Sequence, residues 1–151
     1  MEMNPQLEAD VRATLNRDRR VPHPTEIAIL GDGGIVRLRG TVGSFRQLRA
    51  AVEDAESVSG VYEVIDDLKV RLQDRDRRHD DEIRGAALQM LIWDAEMPSD
   101  AVDVKVHGGW VTLTGEVDHQ HQSDAAFTDV ASMCGVVGIT NEIKVIARKQ
   151  Q

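Results

Sequence analysis

The pattern of hydrophobic and polar residues predicts one series of elements that occurs twice. At the start of the chain, Leu7, Val11 and Leu15 lie on one stripe at helical spacing. Pro22 then makes continuation of a helix costly, because proline lacks the amide donor. We therefore expect a first helix that ends near Arg20.

Two strands, a second helix and a third strand follow. Residues 27–42 alternate between apolar and polar side chains around the run Gly31-Asp32-Gly33-Gly34, which is typical of a tight hairpin turn. Ser44 can cap the second helix while Gln47 reaches back in a capping box. Residues 61–72 alternate again and predict the last strand.

The second half of the chain repeats this order. Its expected elements lie at residues 83–93, 102–106, 110–117, about 121 to 133, and 136–147. Helices that bury their apolar stripes on one face of a sheet leave the other face open. The predicted fold class is therefore α+β, with two tandem αββαβ domains, each a three-stranded mixed sheet with two helices on one face.

A recurrence of the sequence itself supports the duplication. Residues 33–42 return as residues 108–117 at an offset of 75, and the register continues so that Gly60-Val61 falls on Gly135-Val136. A repeat of this length is too long for a solenoid unit. The predicted domains are residues 1–72 and residues 80–151, joined by a charged linker at 73–79.

The repeated pattern Gly-x-Val-x-Leu-x-Gly-x-Val, followed by a helix and a Gly-Val pair, resembles the BON domain (bacterial OsmY and nodulation). It is carried by Gly34, Val36, Leu38, Gly40, Val42 and Gly60-Val61, and again by Gly109, Val111, Leu113, Gly115, Val117 and Gly135-Val136. The resemblance implies an αββαβ fold, a bacterial source, no enzymatic activity, and a role at phospholipid surfaces or in protecting the envelope under osmotic stress. The matching glycines are fold residues, so no binding residues transfer with them.

Composition and charge narrow the choice of partners. The net charge is −8 and aromatic residues make up 3% of the chain. Both values disfavour nucleic acid, which needs clustered Lys and Arg or stacking rings. Residues 1–72 carry 10 basic and 12 acidic side chains, net −2, whereas residues 80–151 carry 5 and 12, net −7. The two domains therefore differ in surface character.

The first domain holds the arginines that an anionic partner would contact. The members of this predicted patch are Arg17, Arg19, Arg20, Arg37, Arg39, Arg46 and Arg49. On the predicted sheet, Arg37 and Arg39 point out of the open face. Each Lys or Arg near an anionic leaflet contributes about 1 kcal/mol, while the acidic second domain opposes such an approach.

The first helices of the two domains differ in their apolar residues. Aligning Val11 with Ile83 gives an offset of 72 and requires about three inserted residues around 94–100. On a helical projection, Trp93 lies on the side of Ile83, whereas Leu88 and Ile92 lie near the opposite face.

In this alignment the counterparts of Leu88 and Ile92 are the polar residues Asn16 and Arg20. Leaving two such apolar side chains in water forgoes roughly 1.5 to 3 kcal/mol each. We therefore expect them to be covered by the other domain, a second chain or a membrane interface, and we prefer burial within the protein.

Trp110 completes the candidate interaction surface, which is Leu88, Ile92, Trp93 and Trp110. It shares the outward phase of its strand with Thr112 and Thr114. An indole in that position can anchor at a lipid headgroup layer or at a protein contact. Packing against a neighbouring strand or the other domain is the preferred interpretation.

No group of residues predicts catalysis or a bound metal. His119 and His121 lie at a helix start, where alternate residues do not share a face, and no third ligand is placed beside them. Asp118 is the expected N-cap there, and the single Cys134 is expected to be a small buried residue. We expect no catalytic residue, no metal site and no cofactor.

The leading hypothesis is a noncatalytic, stress-related interaction protein that associates with phospholipid surfaces or protein partners. The first alternative is a cytoplasmic sensor of a small ligand or a potassium-type monovalent cation, and the second is a structural homo-oligomer. The first residues show no basic segment followed by an apolar run. This predicts a cytoplasmic location, or a periplasmic one if a leader has been removed.

Overall fold

The computed structural model describes residues 3–98 and 101–146 and divides into two compact units after Arg71. The elements of unit one are α1 (Pro5–Arg17), β1 (Ile27–Asp32), β2 (Ile35–Val42), α2 (Phe45–Ser57) and β3 (Glu63–Val70). The elements of unit two are α3 (Asp80–Trp93), β4 (Val102–His107), β5 (Trp110–Val117), α4 (Gln120–Ala131) and β6 (Gly138–Val145). Short 3₁₀ turns lie at Pro24–Glu26 and Asp74–Asp76.

Each unit has a three-stranded sheet in sequential order, β1-β2-β3 or β4-β5-β6. The first two strands form an antiparallel hairpin, and the third strand lies parallel to the second. A parallel neighbour needs a crossover connection, which α2 and α4 supply. The predicted α+β class, with two αββαβ units and mixed sheets, is confirmed.

Both hairpins turn on glycines. The hairpin turn lies within the predicted run, but β1 continues to Asp32, so that the connection is only Gly33-Gly34; Gly33 has a φ of +60°. In unit two, Gly108 and Gly109 have φ values of +58° and +80°. Glycine adopts this left-handed backbone without the penalty that a Cβ would bring.

A second matched pair of glycines lies where the two strands of each hairpin come closest. Gly40 has a φ of +144° and Gly115 a φ of +136°. A Cβ at Gly40 would collide with the backbone oxygen of Glu26, and one at Gly115 with that of Ala101. These glycines are therefore required by the sheets themselves.

The first helix of unit one is capped at both ends. Asn4 accepts a hydrogen bond from the Leu7 amide at 3.1 Å, and Pro5 occupies the first turn, where its missing amide costs little. Asp18 is extended and its amide donates to the Leu15 carbonyl oxygen. The helix consequently ends at Arg17 and not near Arg20 as predicted.

The second helix of each unit begins with a glutamine that reaches back. In unit one, Ser44 is the N-cap, as predicted. Gln47 Oε1 accepts a hydrogen bond from the Gly43 amide at 2.8 Å. In unit two the N-cap is His119, so the prediction of Asp118 is wrong. The reason is the position of Gln122, whose Oε1 accepts from the amides of both residues at 3.0 Å.

The buried residues correct the alignment of α1 with α3. The buried side chains are Leu7, Val11 and Leu15 in α1, and Ile83, Ala87 and Leu91 in α3. Their offset is 76, so the predicted offset of 72 is wrong. A helical apolar stripe recurs about every four residues, and a shift of one turn therefore leaves the apolar pattern in phase.

The connection after each first helix is also corrected. Val21 and Met97 are both buried and their amides bond to the helix caps at the offset of 76. Ile27 and Val102, which begin β1 and β4, keep the offset of 75. Unit two is therefore one residue shorter here, and the expected insertion of about three residues is wrong. Residues 99–100 themselves lie outside the described ranges.

The apolar core of unit one lies between its two helices and one side of its sheet. Its fully buried members are Val11, Leu15, Ile27, Val36, Leu38, Ala51 and Ala55. The alternate strand residues, such as Arg37 and Arg39, are exposed. Both helices therefore cover the same side of the sheet, as predicted.

Candidate interaction surfaces

The corrected alignment changes the counterparts of the two apolar residues on α3. At the offset of 76, Leu88 corresponds to Arg12 and Ile92 to Asn16, and not to Asn16 and Arg20 as predicted. Leu88 is half-buried, whereas Ile92 is 61% exposed. The contrast between an apolar and a polar helix back remains, but it involves different residues of α1.

In unit one, the Arg12 side chain lies between α1 and the edge strand β1. Its guanidinium donates hydrogen bonds to the backbone oxygens of Pro24 and Ile27, the second at 2.6 Å. Arg12 is partly buried in this position. The unit thus satisfies the edge of its own sheet with its own arginine.

In unit two, the corresponding place is an open groove of about 310 Å³. Val102 and Asp103 of β4 line one side of it. The apolar side chains that line the rest are Leu88, Leu91, Ile92, Met97 and Pro98. We call this space the α3 groove.

The arginine of α3 lies one turn earlier than that of α1. Arg84 donates to the Val104 backbone oxygen at 2.8 Å and to an Asp103 carboxylate oxygen at 3.2 Å. It therefore satisfies the middle of β4. Val102, at the beginning of the strand, lines the α3 groove instead.

The C-terminal end of α3 exposes two apolar side chains. Ile92 is 61% and Trp93 is 77% exposed. The prediction that Trp93 lies on the buried side is wrong, because the buried stripe ends at Leu91 and the helix itself ends at Trp93. The counterparts in unit one are the polar residues Asn16 and Arg17.

The Trp110 side chain packs on the neighbouring strand, β6. Its indole Nε1 donates to the Thr140 hydroxyl at 2.8 Å, and its ring lies over Gly138, where a Cβ would collide with it. The side chain nevertheless remains 48% exposed. Trp110 therefore packs on β6, which was the preferred interpretation, and it does not join the end of α3.

The predicted arginine patch is divided between two sides of unit one. Arg37 and Arg39 lie on the open side of the sheet, whereas the other members lie on α1, on α2 or in the connection that follows α1. Arg37 is paired with Asp67 at 2.8 Å. The helix-side members without an ion pair among the described residues are Arg17, Arg19 and Arg46. A single surface of seven free arginines is therefore not formed.

A pair of carboxyl groups joins the end of α1 to α2, and the sequence did not predict it. Asp18 and Asp54 share a side-chain hydrogen bond. Hydrogen bonds from Arg20 lower the pKa of Asp18 from 3.8 to about 2. Burial, aided by the bond to Asp18, raises the pKa of Asp54 from 3.8 to about 7. Asp54 is thus protonated in mildly acidic solution and donates to Asp18.

Unit two contains the equivalent pair, Asp94 and Asp129. The hydrogen bond to Asp129 lowers the pKa of Asp94, and burial raises the pKa of Asp129 from 3.8 to about 7. The surrounding charges differ, because Glu96 stands where unit one has Arg20. Arg20 lies 3.6 Å from Asp54, whereas Glu96 raises the pKa of Asp129 further.

The sequence repeat indicated one member of each carboxyl pair. Asp54 and Asp129 occupy the same place in the repeat, at the offset of 75, within otherwise apolar helix faces. The matching of Asp18 with Asp94 was hidden by the one-turn error in the alignment of the first helices. The burial of Asp54 Oδ2 and Asp129 Oδ2 could be found only from coordinates.

The remaining candidate groups give no constellation. The rings of His119 and His121 stack with their centroids 5.2 Å apart, and His121 Nδ1 lies 3.9 Å from a Glu96 oxygen. Within residues 3–98 and 101–146, no group of three or more His, Cys, Asp and Glu side chains could hold a metal ion. Cys134 is exposed, so its predicted burial is wrong; it lies in the turn after α4 and its thiol donates to the Asp76 backbone oxygen.

The two tandem αββαβ units define the class of the protein, and the family comparison agrees. Residues 4–71 and 79–147 match the BON domain family. The chain therefore belongs to the BON domain family. In the part of the chain that the structure describes, no helix is both long and apolar enough to cross a membrane.

A curated relative is Osmotically-inducible protein Y of Escherichia coli (strain K12). It is 34% identical to this chain over 129 residues, which are 80% of this chain and 62% of the relative. The chain thus spans less than two thirds of the length of that relative.

Two solved structures of CdsD, a structural protein of the Type III secretion system of Chlamydia trachomatis, are also similar. One is its C-terminal domain, with 12% identity, a TM-score of 0.39, and coverage of 95% of this chain and 67% of that chain. The other has 13% identity, a TM-score of 0.41, and coverage of 96% and 64%. At these TM-scores we infer nothing about this chain from the similarity.

Proposed function

We propose that this protein is a noncatalytic interaction protein of the osmotic stress response that docks on phospholipid surfaces through the end of α3. The link to osmotic stress draws on the name of its E. coli relative, Osmotically-inducible protein Y. The observation that carries the docking surface is the exposure of Ile92 and Trp93 on the last turn of one helix. Unit one has Asn16 and Arg17 at these positions.

The chemistry of this helix end favours a lipid interface. Transfer of each apolar side chain from water stabilises the bound state by roughly 1.5 to 3 kcal/mol. Tryptophan in addition prefers the headgroup level, where its ring is in apolar surroundings and its N–H is hydrated. Two such residues give a weak and reversible association.

Electrostatics contributes less than the sequence implied. Arg17, Arg19 and Arg46 are free to approach an anionic leaflet, at about 1 kcal/mol each. The second domain, net −7 over residues 80–151, is repelled by the same leaflet. We therefore expect the apolar contact to dominate and vesicle association to depend only weakly on salt.

The test is cosedimentation of the full chain with sucrose-loaded vesicles of phosphatidylcholine, with and without phosphatidylglycerol. The variant Ile92→Asn with Trp93→Arg introduces the residues of unit one and is expected to lower the association constant for vesicles about 100-fold, which corresponds to roughly 3 kcal/mol. The matched control is Tyr62→Asn, since Tyr62 is an 86% exposed aromatic residue of unit one. It is expected to bind as the parent does.

Three results would contradict the proposal. Unchanged binding of the double variant would remove the role of α3, and equal losses in the Tyr62 control would show nonspecific adsorption. Thermal stabilisation by potassium and not by sodium, without vesicle binding, would favour the cation sensor instead.

A further inference from the structure

The α3 groove is the open counterpart of a position that unit one fills with its own side chain. Leu88 stands in the place of Arg12, and Val102 in the place of Ile27. In unit one, the Arg12 guanidinium donates to the Ile27 backbone oxygen at 2.6 Å. The fold itself therefore shows which chemical group suits this position.

The acceptor of this hydrogen bond is present in unit two without its donor. The Ala101 oxygen accepts from the Glu116 amide of β5 at 3.2 Å. Successive carbonyls of a strand point in opposite directions, so the Val102 oxygen points to the free edge of the sheet. The Val104 oxygen lies on that edge too and accepts from Arg84. No described side chain donates to the Val102 oxygen.

A carboxylate adds a second acceptor that unit one lacks. Asp103 lines the groove and stands where unit one has Ala28. Its Oδ1 accepts from the Val104 amide at 2.8 Å and from Arg84 at 3.2 Å. Its Oδ2 has no hydrogen-bond partner among the described residues and remains available.

This combination of walls and acceptors fits arginine. The apolar walls suit the aliphatic stem of the side chain. The planar guanidinium offers several donors in a fixed fork, which can serve a backbone oxygen and a carboxylate at the same time. The volume of about 310 Å³ lies at the small end of ligand sites, so it accommodates a side chain better than a cofactor.

A purely apolar occupant fits less well. It would cover the Val102 oxygen and the Asp103 carboxylate without supplying a donor, and burying a polar group in that way is unfavourable. The acidic surroundings, net −7 over residues 80–151, also favour a cation. The net charge of −8 on the whole chain disfavours a second copy as its source.

We propose that the α3 groove binds an arginine side chain presented by a basic segment of a partner protein. The partner's guanidinium donates to the Val102 oxygen and the Asp103 carboxylate, and its methylenes contact Leu88 and Leu91. This interaction goes beyond the membrane contact proposed above, which uses the exposed tip of α3.

The test is methyl NMR of the full chain during titration with capped Gly-Arg-Gly and, separately, with capped Gly-Leu-Gly. The arginine peptide is expected to shift the methyl resonances of Leu88, Leu91 and Met97, and to bind about tenfold more tightly than the leucine peptide. Asp103→Asn removes the charge but keeps an acceptor for the Val104 amide. This variant is expected to bind the arginine peptide about tenfold more weakly and to bind the leucine peptide with unchanged affinity.

A self-filling variant provides the sharper control. Leu88→Arg introduces the arginine of unit one, whose side chain is expected to occupy the groove from within and abolish the peptide response. The chemical shifts of the remaining core report whether this variant is folded. If it is not folded, Asp103→Asn alone tests whether the groove binds arginine.

Equal affinity for the two peptides would overturn the proposal, as would an unchanged response in Asp103→Asn. Shifts at the groove that grow with protein concentration in the absence of peptide would also overturn it, because a second copy would then be the occupant. The Asp103→Asn result is distinguishable from a failure of vesicle binding, because Asp103 is not one of the exposed residues Ile92 and Trp93 on which the membrane contact rests.

Discussion

The C-terminal ends of α1 and α3 carry the main difference between the two units. Both helices bury the same apolar stripe and both are closed by a capping aspartate. Unit one surrounds this end with Arg12 and Arg20, which bond within the unit. Unit two has Leu88 and Glu96 in these places. One core pattern thus supports two different surfaces, because unit one covers this helix end with arginines and unit two leaves Ile92 and Trp93 exposed there.

Both units contain a carboxyl pair, Asp18–Asp54 in unit one and Asp94–Asp129 in unit two, and the charges around the two pairs differ. Each pair links the end of the first helix to the second helix, and its raised member has a pKa of about 7. In unit one a guanidinium lies beside the pair, whereas in unit two a third carboxylate does. Because both raised pKa values are about 7, we expect both pairs to lose stability as the solution becomes alkaline.

The largest expected effect breaks one unit and spares the other. Gly40→Ala adds a Cβ against the Glu26 backbone in a strained left-handed conformation, and we expect a loss of roughly 3 kcal/mol or more for unit one. Far-ultraviolet circular dichroism during urea unfolding measures the loss. The tryptophans, Trp93 and Trp110, both lie in unit two, so their fluorescence transition is expected to stay in place.

The reciprocal change serves as the control. Gly115→Ala is expected to move the tryptophan transition to lower urea by a similar amount, because its Cβ meets the Ala101 backbone in the same way. If either glycine variant shifts both transitions equally, the two units unfold as one and the comparison between them fails.

The next effect concerns the arginine that unit two lacks. Arg12→Leu removes the charged hydrogen bonds to the Pro24 and Ile27 oxygens, and we expect unit one to lose about 1.5 to 3 kcal/mol. Leu88→Arg in unit two is expected to change stability by less than about 1 kcal/mol, since the new hydrogen bond offsets lost apolar contact. Urea unfolding of both variants measures the difference, and equal losses would show that the two positions are not equivalent.

A graded effect is expected from pH. The pKa of Asp129 is raised from 3.8 to about 7, so its contribution to stability is complete below 3.8 and is lost as pH rises through about 7. The loss for unit two between pH 5.5 and pH 7.5 is on the order of 2 kcal/mol. Asp129→Asn does not titrate and is expected to flatten this dependence, measured as the urea midpoint of tryptophan fluorescence.

Exchanging the charge beside the pair sharpens the same comparison. Glu96→Arg gives unit two the cation of unit one, which favours the ionised form of Asp129 and is expected to lower its pKa. The alkaline loss of stability should then shrink. A pH dependence identical to that of the parent would show that the carboxyl pair of unit two does not respond to its neighbour.

The smallest effect is expected on the open side of the sheet. Trp110→Ile introduces the residue of unit one, Ile35, and removes the indole bond to the Thr140 hydroxyl. We expect a loss of about 1 kcal/mol and no change in vesicle or peptide binding, because Trp110 lies apart from the end of α3. Trp93 fluorescence follows the unfolding, and a loss of vesicle binding would extend the docking surface to the sheet.

The sequence allowed the fold to be predicted more completely than the contact surfaces. Turn glycines, capping residues and alternating strands are local features, so they gave the hairpins, the start of α2 and the order of elements. The end of α1 and the N-cap of α4 were predicted wrongly, because neighbouring residues offered equally good local choices. The backbone amides of Asp118 and His119, for example, both donate to the side-chain oxygen of Gln122. The exposure of Cys134 was predicted wrongly because burial depends on tertiary packing.

The sequence by itself determined that the chain contains one domain twice, since repeated turns and strand patterns are written in short segments. Only the tertiary structure decided that Leu88 occupies in unit two the position that Arg12 occupies in unit one, because a helical stripe looks the same after a shift of one turn. It alone also brought Asp129 to Asp94, since burial and hydrogen bonding between distant residues depend on how two helices pack and not on their spacing in the chain.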